Sequence, residues 1–476
     1  MLLVGYVLVA IAIILATVVL LEYAYGFGRS KNGEVVQHGL VFVASTPSGA
    51  NVQFSGESNR ATTNTRLSLV SGNYKLTLSK QDYRPWQQTF TLQGGSVLRL
   101  DYAFLIPKAL KSTPVKAYDT APQFATQSPD RRWLLVLPAG STSAFDLYDL
   151  KAAKPAVQVL TLPPALVASD PAQAWKPLEW ADDNQHVLLS RIVGSKTEFL
   201  LLDRNDMTKS LNLNTTFSAN PTKISLIDKK YDQYYLFDQT AQTLQTARLG
   251  QTALQPLLSN VLAYQSYGSN VILYASSKTA IDGKAAIDLL QGGKTYLLRE
   301  VAANTTYLLN LTQYSGSWYV IAGASSENKV YVYKDPLTQL QSKRATLVPT
   351  YVAKTPTPTY AAFSASAQFV LIENGSQFSV YDAQYDRGYR FDTKLPLDTP
   401  QQHASWMDSN RITYVSGGKV RIMDFDGTNQ QTLVDANAAF AQFFSPDYKY
   451  LDTLSPQAAA NQTSFVSTPL RTPADL

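Results

Sequence analysis

The sequence predicts an all-β protein with one N-terminal transmembrane helix, in which a small β-sandwich is followed by a β-propeller of seven blades or eight. Three observations carry this reading. Residues 2–21 contain no charged side chain. Short alternating segments between Gly, Pro, Asn and Asp turns fill residues 39–107. A turn-then-strand phrase recurs through residues 123–470.

At 476 residues the chain exceeds one core of ordinary size, so two or three domains are expected. Apolar residues at 45% and charged residues at 16% suit folded β structure and exclude wholesale disorder. The 28 Tyr, with abundant Thr, Val and Leu, favour strands. The 41 basic and 36 acidic residues are spread along the chain without Lys/Arg stripes, so nucleic acid is not an expected partner. The absence of cysteine rules out disulfides, thiolate metal sites and a Cys nucleophile, and leaves the compartment open.

Residues 1–27 are expected to be a transmembrane anchor and 28–38 a linker. An apolar stretch of about 20 residues spans about 30 Å as a helix, the thickness of a hydrocarbon core. Residues 1–21 hold fourteen Leu, Ile or Val, each worth about −0.3 to −0.6 kcal/mol on insertion. A cleavable signal peptide needs a shorter apolar region and an A-x-A-like site. Tyr23, Tyr25 and Phe27 fit the headgroup depth, and Gly28-Arg29-Ser30-Lys31-Asn32-Gly33 is a polar exit. The lipid bilayer is thus the expected partner of residues 2–21. Arg29 and Lys31 would by the positive-inside rule keep the bulk cytoplasmic. The helix begins without a basic region before it, which points instead to an upstream natural start and an extracytoplasmic bulk.

Residues 39–107 read as short strands: Gly39 to Ser45, Asn51-Val52-Gln53-Phe54, Arg66 to Leu69, Tyr74 to Leu78, Gln87 to Leu92 and Val97 to Phe104. Tight turns at Thr46 to Ala50, Ser55 to Asn59, Ser71-Gly72-Asn73 and Gly94-Gly95 separate them, which predicts a compact antiparallel sandwich. Pro47-Ser48-Gly49-Ala50, with Gly72-Asn73-Tyr74, Asp82-Tyr83 and Trp86, resembles the PEGA domain, a small bacterial β-sandwich. Ser48 stands where the signature has Glu, and Asp82 stands in the usual Gly place. The resemblance implies an envelope-facing interaction or spacer module without catalytic residues.

After a linker at 108–122, internal repetition organises residues 123–470, with 471–476 as a tail. Ser128-Pro129-Asp130-Arg131-Arg132-Trp133-Leu134 matches Ser445-Pro446-Asp447-Tyr448-Lys449-Tyr450-Leu451, with weaker copies from Ala181, Ser364 and Met407. A second phrase follows at Phe145 to Asp149, Phe199 to Asp203, Val330 to Lys334, Phe378 to Asp382 and Val420 to Asp424. Four-stranded units are drawn at 124–162, 179–213, 223–249, 258–300, 310–348, 360–392 and 403–434. Residues 441–470 either complete the first unit or form an eighth. These phrases resemble TolB-type and WD-like propeller repeats, although no copy retains the Gly that those carry in the turn. A stacked sandwich or solenoid is the alternative architecture.

No catalytic constellation emerges, and no cofactor or metal is expected. Of the three His, His186 falls on a repeat strand position, His38 in the expected anchor-to-domain loop and His403 before a strand beside Trp406. Gly292-Gly293-Lys294-Thr295 lacks the earlier glycine of a phosphate loop and reads as a hairpin. Asp424-Phe425-Asp426-Gly427-Thr428-Asn429 has calcium-like spacing but fits a strand turn. Asp182-Asp183 aligns with the repeat turn rather than with a glycosidase pair. A G-x-S-x-G elbow does not occur, and the Asn-x-Ser/Thr triplets at Asn214, Asn304, Asn310, Asn374 and Asn461 are chance on a bacterial reading. The expectation is a single-pass, membrane-anchored envelope protein whose propeller binds or scaffolds a protein or a cell-wall or glycan ligand. The alternatives are a propeller-type glycoside hydrolase or lyase at the cell surface, and a cytoplasmically facing interaction protein.

Overall fold

The computed structural model describes residues 2–24, 26–29, 34–55, 61–167, 174–251, 253–279, 281–342, 347–399, 402–457 and 462–476. Tyr25, Ser30 to Gly33, Gly56 to Asn59 and Asn461 lie outside the described residues. The chain forms two compact units, residues 1–110 with 470–476, and residues 111–469.

In the smaller unit a helix runs from Leu2 to Ala24, 23 residues. Its described side chains, Val4 through Leu20, are all exposed. Among the described residues no helix is long and apolar enough to cross a membrane. The transmembrane span expected at residues 2–21 is therefore not supported by the structure.

The rest of this unit is a two-sheet sandwich. Strand Val35–Thr46 is central to the first sheet, pairing antiparallel with Phe27–Arg29 and Thr65–Val70. It also pairs parallel with Val97–Phe104, which corrects the expectation of a wholly antiparallel sandwich. A parallel pair cannot be closed by a tight hairpin, and residues 47–96 make the crossover by building most of the second sheet. That sheet orders Ala61–Thr62, Asn51–Phe54, Gly72–Ser79 and Trp86–Leu92. Period-two alternation sends Val41, Val43, Val52, Phe54, Leu76, Leu78 and Trp86 into one core. Each such side chain contributes about 1.5–3 kcal/mol. His38 is not in a loop: it lies within the central strand opposite Val70, because pairing with Phe27–Arg29 extends that strand back to Val35. Segment 470–476 belongs to this unit as well. Asp475 accepts hydrogen bonds from Lys80 Nζ and Tyr83 Oη, each at 2.8 Å, and the Arg471 guanidinium lies over the Phe104 ring.

The larger unit contains eight four-stranded antiparallel sheets among the described residues. Sheets I to VII occupy 124–161, 174–212, 223–258, 261–302, 307–353, 360–392 and 405–435. Sheet VIII joins Phe443–Phe444, Tyr450–Pro456 and Thr463–Pro469 to Thr113–Tyr118. Residues 443–469 thus form a sheet of their own instead of completing the first, and the stretch expected to be a linker at 108–122 supplies its fourth strand.

In several sheets the second strand, such as Trp133–Leu137, Val271–Ser276 or Phe369–Glu373, is an almost unbroken apolar run because both of its faces are covered. Leu188 and Leu189 are consecutive and point opposite ways. Leu188 enters the core shared with sheet III, and Leu189 the core shared with sheet I. The same arrangement joins III to IV, IV to V and V to VI. Stacked Phe369 and Phe425, ring centroids 4.3 Å apart, join VI to VII. Between VII and VIII the Ser455 hydroxyl donates to the Asp435 carbonyl at 2.6 Å. Leu134, Val136 and Tyr148 of sheet I then pack with Phe443, Leu454 and Phe465 of sheet VIII. The succession returns to its start, which is the closed ring of a β-propeller.

The repeat phrases fall where strand geometry demands. Each first phrase leads into a second strand, and each second phrase is a third strand. Ser128 Oγ accepts the Trp133 N–H at 2.9 Å, as Ser364 does for Phe369 and Ser445 for Tyr450. The position left without glycine is left-handed all the same: Arg131, Asn184, Ala367 and Tyr448 take φ of 61°, 57°, 63° and 55°. The Asp closing the third strand is held by the residue entering the second, through Arg132–Asp149, Gln185–Asp203 and Gln368–Asp382 hydrogen bonds. These carboxylates lock the sheets.

Candidate functional site

First strands of neighbouring sheets meet one another, as those beginning at Phe124 and Ala174, or at Tyr307 and Tyr360, do. They therefore form the inner wall of the ring. On that wall the first strands of sheets II, III and IV enclose a pocket of about 590 Å³. This is within the range of small-molecule sites.

Strand Lys223–Ile227 makes its floor. Alternation buries Ile224 and Leu226 on one face and turns Lys223 and Ser225 to the other. The Ser225 hydroxyl and the Tyr264 phenol share a 2.6 Å hydrogen bond. The Lys223 ammonium sits 4.9 Å from the Tyr264 ring centroid, a favourable cation–π placement. Removal of water by the pocket walls lowers the Lys223 pKa, opposed by the nearby Glu179 carboxylate. Burial likewise raises the Tyr264 pKa, so its hydroxyl stays protonated.

Charge in the pocket nearly cancels. Glu179 accepts the Leu226 N–H and is ion-paired to Lys229, and Asp228 is paired to Lys230 at 3.0 Å. Lys223 makes no ion pair among the described residues. The pocket thus presents one ammonium without an ion-pair contact beside hydroxyl and amide groups. Both of its carboxylates are held by lysines, and paired-carboxylate glycoside chemistry needs one free acid and one free base or nucleophile.

The residues singled out from sequence lie elsewhere and separately. His186 heads the second strand of sheet II, with Nδ1 2.6 Å from Asp183 and its ring stacked on Tyr231 at 3.9 Å. His403 lies before strand Ser405–Trp406, with Nδ1 2.8 Å from the buried Glu373 and its ring stacked on Tyr360. Asp183 closes its own turn by accepting the Gln185 and His186 N–H groups. Asp426 accepts from Thr428, and Asn429 donates to Asp424 at 2.8 Å, so 424–429 is a self-satisfied turn. Gly292 and Gly293, both left-handed, form a two-residue hairpin between Gln291 and Lys294. Asn214 and Asn374 spend their side chains on the carbonyls of Thr197 and Pro356. Among the described residues no group of three or more His, Asp or Glu could hold a metal ion. Sequence reasoning missed Glu179, Lys223, Lys229 and Tyr264, because each is ordinary on its own strand and only the ring brings the three strands together.

In the smaller unit, Ala50 of the Pro47-Ser48-Gly49-Ala50 turn is fully buried, and the Tyr74 hydroxyl donates to the Val70 carbonyl at 2.7 Å. Asp82 takes φ of 64°, the left-handed conformation for which glycine is the usual residue, and orients the buried Tyr83 and Trp86. Residues 38–106 match the PEGA domain. The match covers both sheets of the sandwich apart from Phe27–Arg29 and the first three residues of the central strand. No curated protein matches the sequence. Solved structures similar to the chain include a KlHsv2 with loop 6CD replaced by a Gly-Ser linker, at 9% identity, covering 68% of this chain and 98% of that one with a TM-score of 0.42. Oligogalacturonate lyase in complex with manganese matches at 9% identity over 77% of this chain and 99% of its own, TM-score 0.41. The dihydro-heme d1 dehydrogenase NirN in complex with DHE matches at 12% over 83% and 75%, TM-score 0.42. At such scores these likenesses carry no functional argument; the ring of sheets and the PEGA module stand on their own geometry.

Proposed function

We propose that the protein is a single-pass, envelope-anchored binding or scaffold protein that carries a PEGA module and an eight-bladed propeller, and whose inner-wall pocket holds the ligand. The observation that carries the binding role is the pocket on sheets II to IV, concave and rigidly walled, with its carboxylates ion-paired and one ammonium without an ion-pair contact.

Support for anchoring comes from the uncharged run 2–21 and from the 23-residue length of its helix, about 34 Å at the helical rise. Thr17 Oγ1 donates to the Ile13 carbonyl at 2.7 Å, which satisfies the hydroxyl without water. The PEGA match favours an extracytoplasmic bulk.

A photo-crosslinking residue placed at Gln265, on the pocket rim, should capture one partner in intact cells, and protease added outside should clip the propeller. Crosslinks no different from those of a probe on an outer strand would refute the binding role. A propeller protected in intact cells and cleaved only after lysis would refute the orientation.

A further inference from the structure

We infer that the inner-wall pocket takes an acidic sugar, one carboxylate-bearing pyranose of an oligosaccharide, with Lys223 as the anion contact. This rests on the reading of the pocket as a binding site and specifies its ligand.

The placement of charge sets the first requirement. Of the two lysines that line the pocket, Lys229 is ion-paired to Glu179, while Asp228 is paired to Lys230 outside the lining, so Lys223 is the lining lysine without an ion pair. One cation matches one carboxylate. A phosphate carrying close to two charges would call for a second cation or a nest of backbone N–H groups.

The remaining lining sets the second requirement. Ser225, Gln265 and Ser266 offer hydroxyl and amide groups that both donate and accept, the complement of a ring of sugar hydroxyls. Tyr267 lines the same pocket at 37% exposure. Its ring packs against Trp318, the two centroids 5.1 Å apart and the planes at 75°. A partly exposed aromatic ring in a pocket can stack on the C–H face of a pyranose. Tyr264, hydrogen-bonded to Ser225, presents its ring to the Lys223 ammonium.

The test uses the purified full chain in detergent micelles, titrated by calorimetry with β-1,4-linked triglucuronate, with cellotriose and with tri-glutamate. Cellotriose has the same rings and lacks the carboxylates. Triglucuronate should bind at least tenfold tighter than cellotriose and than tri-glutamate. Lys223→Gln should lose at least tenfold for triglucuronate and leave cellotriose unchanged, whereas Lys223→Arg should stay within about threefold. Lys209→Gln, on an exposed lysine outside the pocket, should match the parent. Equal binding of the two sugars, a preference for tri-glutamate, or parent-like affinity in a folded Lys223→Gln chain would each overturn the inference. A crosslinked partner at Gln265 together with failure of triglucuronate would overturn the sugar while leaving the binding role intact.

Discussion

The Tyr118 phenol donates to the Asp146 carboxylate at 2.8 Å, tying the fourth strand of sheet VIII to the third strand of sheet I. The same oxygen pairs with Lys116 at 2.6 Å, and Tyr118 and Tyr148 share a 2.7 Å hydrogen bond. Burial, then Tyr148 and Asp146, hold the Tyr118 pKa far above the ordinary phenol value, so this proton is permanent. Asp146→Ala leaves a buried hydroxyl and an ammonium without their acceptor. It should cost about 2–3 kcal/mol in urea denaturation, and hydrogen exchange should rise first in 113–118.

Asp452, 1% exposed in the same seam, has a carboxyl oxygen with no hydrogen-bond partner among the described residues. Burial pushes its pKa up to about 7, opposed by a hydrogen bond from Ser467. The native state then keeps a proton that the unfolded chain releases near 3.8. Stability falls as pH rises between these two values and stays reduced above the higher one. Asp452→Asn should therefore raise the melting temperature at pH 8, by up to roughly 4 kcal/mol in stability, and make little difference at pH 4.

Gly427 takes φ of 81°, and a Cβ there would lie 2.5 Å from the Phe391 ring. Gly427→Ala should cost about 1–3 kcal/mol from backbone strain and overpacking together, measured as a shift in urea midpoint with an unchanged slope.

Ala367 sits in the left-handed turn position with φ of 63°, where a Cβ is unfavourable. Ala367→Gly should stabilise the fold by about 1 kcal/mol, the reverse of the usual effect of introducing glycine, and thermal melting reads it directly.

Asp475 is held below the usual carboxylate range. Burial alone would raise it, but hydrogen bonds from Lys80, Tyr83 and Thr472 outweigh that. Its contribution is present above the unfolded value and lost as pH falls through the lowered one. Asp475→Asn should loosen segment 470–476 at neutral pH, seen as faster exchange at Tyr83 and Thr472, and differ little from the parent at pH 2.

Much of the architecture was legible where turn and strand chemistry coincide. Ser128, Ser364 and Ser445 announce a second strand because each hydroxyl caps the turn before it. The middle sheets were hard to read for a physical reason. Their first hairpins turn on two left-handed residues, Asp228-Lys229 in sheet III and Ser315-Gly316 in sheet V, so the serine phrase has no place there. Strand Thr113–Tyr118 was taken for a linker because its pairing partner lies hundreds of residues away and local pattern cannot report it. The pocket shares that obscurity, since Glu179, Lys223 and Tyr264 become neighbours only through ring closure.

Both units join early residues to late ones. Sheet VIII needs Thr113–Tyr118 beside Thr463–Pro469, and the PEGA module receives Asp475 against Lys80 and Tyr83. On the ribosome the ring cannot close until residue 469 has emerged, and the PEGA module does not receive Asp475 until six residues later. A chain released before the ring closes exposes unpaired strand edges, which quality-control proteases and chaperones read as incomplete. The pairing of Thr113–Tyr118 with Thr463–Pro469 thus makes synthesis through the eighth sheet a condition of ring closure.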